Sequence, residues 1–292
     1  MSRTILITGA TGSVSSQLIH ELQAAKADVQ LRVLVRSEQK AAPFEALGIA
    51  AVVADLDESE TLPRAFEGVD DLWLLTPPGP RAPENNMNAV WAARGAGVKR
   101  VVRMSAIGAA HDAPTRNGRL HALSDEELQA SGLRWTILRP HFFMQNLLGF
   151  APGIAKDGNF YLNTGDARLG LVDTRDIAAV AAAVLLDDSK RHDGQTYTPT
   201  GPQSLSMAEI AEQLAQATGH AVRFVSVPDE AVRAATIASG MSPWLSGMFV
   251  EYGRAYGSGW GDFTTRHVKD VTGREAHGIS DFARDLWPRS AA

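Results

Sequence analysis

The chain opens on a continuous apolar run, Ile5-Leu6-Ile7, that ends at Gly9. A run without polar alternation suits a strand buried on both faces of a parallel sheet. Val14, Leu18, Leu22 and Ala25 then recur at helical spacing. Further strands are predicted over 29–35, 50–54, 71–75, 100–104 and 134–138. Thr76-Pro77-Pro78 stops the fourth strand and Pro140 the sixth. Between them, 85–96 reads as a helix with Met87, Val90, Trp91 and Arg94 along one side. Residues 120–130 read as another, closed by Gly132. After Pro140 the pattern changes. Residues 142–150 are apolar and aromatic, and 173–186 read as a helix rich in Ala and Val. Residues 206–218 form a further helix, opening with the capping box Ser206-Met207-Ala208-Glu209. Trp244, Met248 and Tyr252 recur at four-residue spacing, and 252–263, rich in glycine and aromatics, reads as a loop. Phe142, Phe143, Met144, Trp244, Met248 and Tyr252 have the character of core, with some placed to line an apolar cleft.

Six strands separated by helices or helix-length connections imply an α/β protein, a doubly wound parallel sheet covered on both faces. In such sheets ligands sit beyond the carboxyl ends of the strands. Residues 1–150, with 171–200 returning to them, are expected to form the sheet domain. Residues 141–170 and 201–292 are expected to form a smaller, mostly helical, substrate-binding domain.

Composition narrows the chemistry. The chain has 292 residues, a formal net charge of −5, 45% hydrophobic and 21% charged residues, and no cysteine. That profile belongs to a soluble globular protein and not to a disordered one. The lack of cysteine excludes disulfides, thiolate metal sites, iron–sulfur clusters and cysteine nucleophiles, and fits a cytoplasmic protein. The most apolar run, 177–186, is too short to span a bilayer, and the N-terminus lacks the long apolar core of a signal peptide. There is no Lys/Arg run to hold nucleic acid, and the eight histidines show no metal-ligand spacing. The expected partner is a small aromatic or conjugated substrate, and the expected assembly a monomer or homodimer.

The strand ends carry the candidate chemistry. Gly9-Ala10-Thr11-Gly12-Ser13-Val14-Ser15 follows a strand and opens a helix. Small residues there let the backbone approach a pyrophosphate, and free N–H groups at the helix start point at it. Ser15 stands where a third glycine would give close helix–strand packing, so a slightly displaced helix or weaker binding is expected. Arg36 ends the second strand where an NAD site would carry an acid. A guanidinium there suits the 2′-phosphate of NADP(H), with Lys40 adding charge, although a solvated surface arginine looks the same. Asp55-Leu56 after the third strand, Thr76-Pro77 after the fourth and Pro140-His141-Phe142 after the sixth are the remaining candidate cofactor contacts. Asp55 reads equally as an acceptor for the adenine amino group and as a turn residue. Thr76 and 140–142 flank the expected nicotinamide position.

Ser105 and His121 are the candidate catalytic residues, with Asp125 one turn beyond the histidine and able to support its imidazole. A cap and an exposed histidine are the bland alternatives. Ser105 lies in Arg103-Met104-Ser105-Ala106-Ile107, which is not a nucleophile elbow, so a hydrolase is set aside.

These residues carry a family resemblance. Thr8-Gly9-Ala10-Thr11-Gly12 after its strand, Leu34-Val35-Arg36-Ser37 and Ala54-Asp55-Leu56 resemble the NmrA-like group of atypical short-chain dehydrogenases. The likeness continues through Ser131-Gly132-Leu133-Arg134-Trp135-Thr136-Ile137-Leu138-Arg139-Pro140 and Phe143-Met144-Gln145-Asn146. It reaches Val172-Asp173-Thr174-Arg175-Asp176-Ile177-Ala178 and Tyr197-Thr198-Pro199-Thr200-Gly201, so it covers nearly the whole chain. The resemblance implies a Rossmann domain, a small helical C-terminal domain and an active site in the cleft between them. It implies NADPH-dependent reduction of quinones, triphenylmethane dyes or polyketide-like ketones. The group also holds redox sensors that bind NADP and a protein partner without chemistry. An epimerase or dehydratase with tightly held cofactor is a third reading.

One departure matters. Short-chain dehydrogenases place a Tyr and, four residues later, a Lys on the helix that carries His121; here those positions fall near Asn117 and on His121. Without a phenolic donor, hydride transfer rests on positioning and electrostatics, with His121 as the residual proton donor.

Overall fold

The computed structural model describes residues 2–287. In chain order the first elements are β1 (Arg3–Ile7), α1 (Ser13–Ala24), β2 (Val29–Val35), α2 (Glu38–Glu45), β3 (Ala50–Val53) and α3 (Leu62–Phe66). They are followed by β4 (Asp71–Leu74), α4 (Ala82–Ala96), β5 (Arg100–Met104), α5 (Arg116–Ala130) and β6 (Arg134–Leu138). Next come α6 (Ala151–Asp157), β7 (Asn159–Leu162), β8 (Arg168–Leu169), α7 (Thr174–Leu186), β9 (Gln195–Tyr197) and β10 (Leu205–Ser206). The chain closes with α8 (Met207–Thr218), β11 (Arg223–Ser226), α9 (Asp229–Ala238), α10 (Pro243–Gly257), α11 (His267–Thr272) and α12 (Ile279–Leu286).

The chain divides into two compact units. The first runs from the N-terminus to His111 and includes Asn117–Arg139 and Ile177–Tyr197. Its sheet has seven strands in the order β3-β2-β1-β4-β5-β6-β9, all parallel. This is the expected Rossmann-type sheet with one strand more than the sequence predicts. The extra strand, β9, is three residues long, too short for an apolar period to mark it. Strands β4 and β5 are buried at every position, as a parallel sheet covered on both faces requires. Leu6, Leu72, Leu74, Val101 and Ile137 pack under α3 and α4 through Leu62, Phe66, Ala89, Val90 and Ala93. That packing turns α4 away from the side expected of it. Ala89, Val90 and Ala93 face the core, while Met87 and Trp91 are about half exposed, at 48% and 57%.

Polar anchors set the amino-terminal edge of this sheet. Arg100 is buried beside Asp71, with Nε donating at 2.9 Å. Its Nη atoms donate to the carbonyls of Val184, Leu185 and Asp187, which close the end of α7. Those are carbonyls that a helix terminus leaves without internal partners.

The second unit comprises Asp112–Arg116, Pro140–Asp176 and the chain from Thr198 onward. It takes in 171–176 and 198–200, which the sequence pattern assigns to the sheet domain, and 141–150, which that pattern assigns to both. The reason is packing: Met144, Leu147, Leu169 and Leu171 share a core with Phe160, Ile210, Leu214, Tyr256 and Phe282. The unit is mostly helical, with two short two-stranded sheets, β7 with β11 and β8 with β10. The capping box predicted at Ser206 is present, with Ser206 Oγ accepting from Glu209 N–H at 3.1 Å. The loop predicted over 252–263 begins only after Gly257, because α10 continues to that residue. Gly253 sits inside the helix for contact and not for flexibility: a Cβ there would fall 1.8 Å from Asn163 Oδ1. Among the described residues, no helix is long and apolar enough to cross a membrane.

Candidate active site

The carboxyl ends of β1, β2 and β3 open into a groove of about 330 Å³. Gly9, Thr11, Gly12, Arg36, Asp55, Leu56 and Pro77, all expected from the sequence, line it together with Lys40, Asp57, Leu75 and Asn85. Gly9 has φ +61°, so the turn itself favours glycine, and a Cβ there would lie 2.8 Å from Leu75 Cδ2 and 3.3 Å from the Leu75 carbonyl oxygen. Helix α1 then starts at Ser13 with no side-chain cap. The first-turn N–H groups of Ser13 and Val14 therefore have no partner from helix geometry or a cap, and the positive end of the helix dipole faces the turn. The Val14 side chain is buried, so its contribution is this backbone group. Asp55 turns out to be a turn residue as well as a groove residue: its Oδ1 accepts from Asp57 N–H at 3.1 Å.

The groove carries two cations, Arg36 and Lys40, and two carboxylates, Asp55 and Asp57, of which Asp57 lies 3.4 Å from Arg81. Arg36 and Lys40 are exposed and have no carboxylate partner among the described residues. Asn85 contributes a buried Oδ1 without a hydrogen bond among the described residues. The donor set fits a dinucleotide with a phosphate on its ribose: a glycine turn and helix start for the pyrophosphate, two cations for the extra phosphate, and an acceptor on α4.

Ser15, in place of the third glycine, does not leave an unsatisfied group. Its hydroxyl is fully buried, donates to the Thr8 carbonyl at 3.0 Å and accepts from Trp73 Nε1 at 2.9 Å. Thr8 Oγ1 in turn bonds both the carbonyl and the N–H of Leu75, at 2.9 and 2.8 Å. The side chain that was expected to loosen the helix ties it to β1 and β4.

A second polar set spans the carboxyl ends of β4, β5 and β6. Asn86 Nδ2 donates to Thr76 Oγ1 at 2.9 Å, and Asn86 Oδ1 accepts from Arg103 Nε at 2.8 Å. Arg103 is buried on β5, its Nη1 donating to Asp125 Oδ1. Arg103 Nη2 donates to His121 Nδ1 at 3.1 Å. Asp125 Oδ2 receives Arg139 Nε at 3.0 Å and the Ser105 hydroxyl at 2.9 Å. The set connects Thr76, next to the groove, with Ser105 and His121.

This corrects the expected support of His121. Asp125 lies one turn beyond it, but the carboxylate is occupied by Arg103, Arg139 and Ser105, and the group that touches the imidazole is the guanidinium of Arg103. Burial, followed by the charges of Arg103 and Arg139, holds His121 well below the usual imidazole range. Burial also lowers Arg103, to about 10, which leaves it a cation at neutral pH. Ser105 is buried and its hydroxyl proton is directed at Asp125. Asn117 and His121 share one face of α5, the positions where a Tyr/Lys pair would stand.

Pro140, His141 and Phe142 belong to the second unit. The His141 ring is buried between Tyr256 and Phe263. Its Nε2 bonds the Gly261 carbonyl at 2.9 Å, and its Nδ1 accepts from Phe142 N–H at 2.7 Å. Burial lowers its pKa to about 4. Both ring nitrogens are engaged, and the His141 backbone N–H donates to the Pro199 carbonyl at 3.0 Å. Arg139 stands at a strand end where the sequence directs attention, whereas Asn85, Asn86 and Arg103 are not marked by that pattern. The available signal was an arginine inside the apolar run Val101-Val102-Arg103-Met104, since a buried charge requires partners.

Comparison with known proteins agrees with this geometry. The chain is 38% identical over 280 residues to an NAD(P)H azoreductase of Xenophilus azovorans, covering 96% of each chain. It is 32% identical to the (4-alkanoyl-5-oxo-2,5-dihydrofuran-3-yl)methyl phosphate reductase of Streptomyces griseus, covering 96% of this chain and 97% of the other. Among solved structures it is similar to an NADPH-dependent quinone oxidoreductase from Escherichia coli in complex with NADPH. That match has a TM-score of 0.88 at 25% identity, over 97% of this chain and 100% of the other. The model of the NmrA-like family matches residues 1–279. With a glycine turn, an arginine at the second strand end and a polar set beyond β5, the chain belongs to the NmrA-like family.

Proposed function

We propose that the protein is an NADPH-dependent oxidoreductase that reduces a flat, conjugated acceptor such as a quinone, an azo compound or an aromatic ketone. The observation that carries the reading is the groove in which Arg36 and Lys40 stand without carboxylate partners, opposite an uncapped helix start. The names of the similar reductases support the acceptor class. Gly9, Thr11, Gly12 and the N–H groups of Ser13 and Val14 would hold the pyrophosphate. Arg36 would hold the 2′-phosphate, with Asp55 and Leu56 beside the adenosine half. Thr76 and Pro77 would flank the nicotinamide. Bound NADPH supplies one hydride, two electrons with one proton. A second proton from water completes the reduced acceptor. Ser105 and His121 would orient the acceptor. The same reading places the protein in the cytoplasm.

The test follows NADPH absorbance against quinones, azo compounds and aromatic ketones, with NADH alongside. Acceptor-dependent oxidation is expected, with a preference for NADPH. Arg36→Ala should weaken NADPH binding by about 10- to 100-fold and NADH binding little. Cofactor binding without oxidation across the panel would refute the enzyme reading, and equal losses for both cofactors would refute the role of Arg36.

A further inference from the structure

We propose that His121 acts as a neutral imidazole fixed in its Nε2–H tautomer by Arg103, and hydrogen-bonds the acceptor atom that gains negative charge, without giving up its own proton. The inference rests on the reductase reading above. Its core is a matter of donors and acceptors. A guanidinium has five N–H groups and no acceptor. Arg103 Nη2 lies 3.1 Å from His121 Nδ1, so that nitrogen must present its lone pair and the ring proton must sit on Nε2.

The arginine cannot turn away. Its Nε is held by Asn86 Oδ1 at 2.8 Å, its Nη1 by Asp125, and the side chain is buried. Of the charged groups in this set, the two arginines oppose protonation of the ring and the Asp125 carboxylate alone favours it. Arg103 on β5 and Arg139 on β6 share the single carboxylate of Asp125 on α5, which leaves one positive charge in excess beside the imidazole. An imidazolium would add a second positive charge and place an N–H against an N–H. The neutral ring is therefore the stable one.

His121 Nε2 is left with no hydrogen-bond partner among the described residues, on a half-buried side chain at the strand-end face. A neutral N–H donor there resembles an oxyanion-hole donor: it stabilises charge that develops during hydride arrival and needs no reorganisation. For a quinone, the hydride adds to the acceptor and negative charge builds on the carbonyl oxygen. The Nε2–H stabilises that oxygen while it remains anionic, and water then protonates it. His121 ends the cycle as it began it. Arg103 is a positioning residue, since it acts only through His121.

Two measurements test this on the whole protein bound to NADP⁺. Long-range ¹H–¹⁵N spectra of histidine-labelled protein report the tautomer directly, with His121 identified by the signal lost in His121→Gln. The Nε2–H pattern is expected unchanged from about pH 6 to 8.5, across the range where a free imidazole titrates. An imidazolium or Nδ1–H pattern in that range would overturn the proposal. In Arg103→Met the pattern should become a tautomer mixture that titrates. If that variant does not fold, Arg103→Lys, which keeps the charge but not the fork, should show the same mixing. A fixed Nε2–H ring in the folded variant would remove the arginine's role.

The second measurement is reduction of 1,4-naphthoquinone. Glutamine carries an amide N–H close to the imidazole Nε2 position but cannot titrate. His121→Ala should lose roughly 10- to 100-fold in kcat with NADPH KM unchanged, and His121→Gln should lose clearly less than His121→Ala, with no pH dependence added. Glutamine as inactive as alanine would mean that the ring gives up its proton. Failure of the wild-type protein to reduce any acceptor would refute the reductase reading alone, because the tautomer is read without turnover.

Discussion

Strand β5 carries two buried arginines three residues apart, and they do opposite work. Arg100, at the amino end, bonds Asp71, which also pairs with Arg3, and its other donors close the carbonyls of α7. Arg103, toward the carboxyl end, shares Asp125 with Arg139 and aims its remaining donor at His121. The first set has Asp71 near both Arg100 and Arg3 but ends on backbone carbonyls; the second ends on a ring with an unpartnered nitrogen. The histidines repeat the contrast, because His141 has both nitrogens engaged and His121 only one. The scaffold set spends its arginine donors inside the fold, and its one unbonded oxygen, Asp71 Oδ2, faces Arg3 at 3.3 Å. Candidate reactivity is the same chemistry with one atom left over at a strand end, where a doubly wound sheet binds its ligands.

The largest effect should come from the scaffold arginine. Arg100→Leu leaves Asp71 buried without its closest cation and three carbonyls without a donor. It should cost about 3–5 kcal/mol in urea unfolding. The molecules that remain folded should keep wild-type kcat/KM. A loss of activity at full folding would break the distinction.

His141 gives a pH-dependent test of nearly the same size. Its folded pKa of about 4 lies below the ordinary imidazole value, so the unfolded chain binds the proton more readily. Its contribution is complete above about pH 6.5 and is lost as pH falls toward 4, by up to about 3 kcal/mol. His141→Gln should flatten the slope of unfolding free energy in that window. An unchanged slope would place the titrating group elsewhere.

Arg103→Met should cost less than Arg100→Leu, about 2–3 kcal/mol, because Asp125 keeps Arg139 and Ser105. It should nonetheless lower kcat, the reverse of the Arg100 result. The smallest effect belongs to Ser15→Gly. It strands Trp73 Nε1–H in the core and should cost about 1–2 kcal/mol in thermal or urea unfolding. Trp73→Phe should cost less in that background than alone, since the two groups satisfy each other. Additive costs would show that the serine hydroxyl is not the partner that matters.

Much of the first unit was legible along the chain. Ile5-Leu6-Ile7, the glycine turn and the 3.6-residue period of α1 are local patterns, and a parallel strand, a phosphate turn and an amphipathic helix are local consequences. Arg36 could be placed because it follows β2 directly, and Gly9 and Gly12 because they lie in the short turn between β1 and α1. The tertiary structure decided what depends on distant partners. Asp125 is one helical turn from His121, yet Arg103 on β5 and Arg139 on β6 claim its oxygens. Gly253 looked like a loop glycine and serves a helix contact with Asn163. Ser15 looked like a defect and is the acceptor for Trp73, distant in sequence. Hydrophobic periodicity is a property of neighbours in the chain and can be read from it. Hydrogen-bond partnership between buried charges is a property of neighbours in space, and it exists only once the strands have chosen their order.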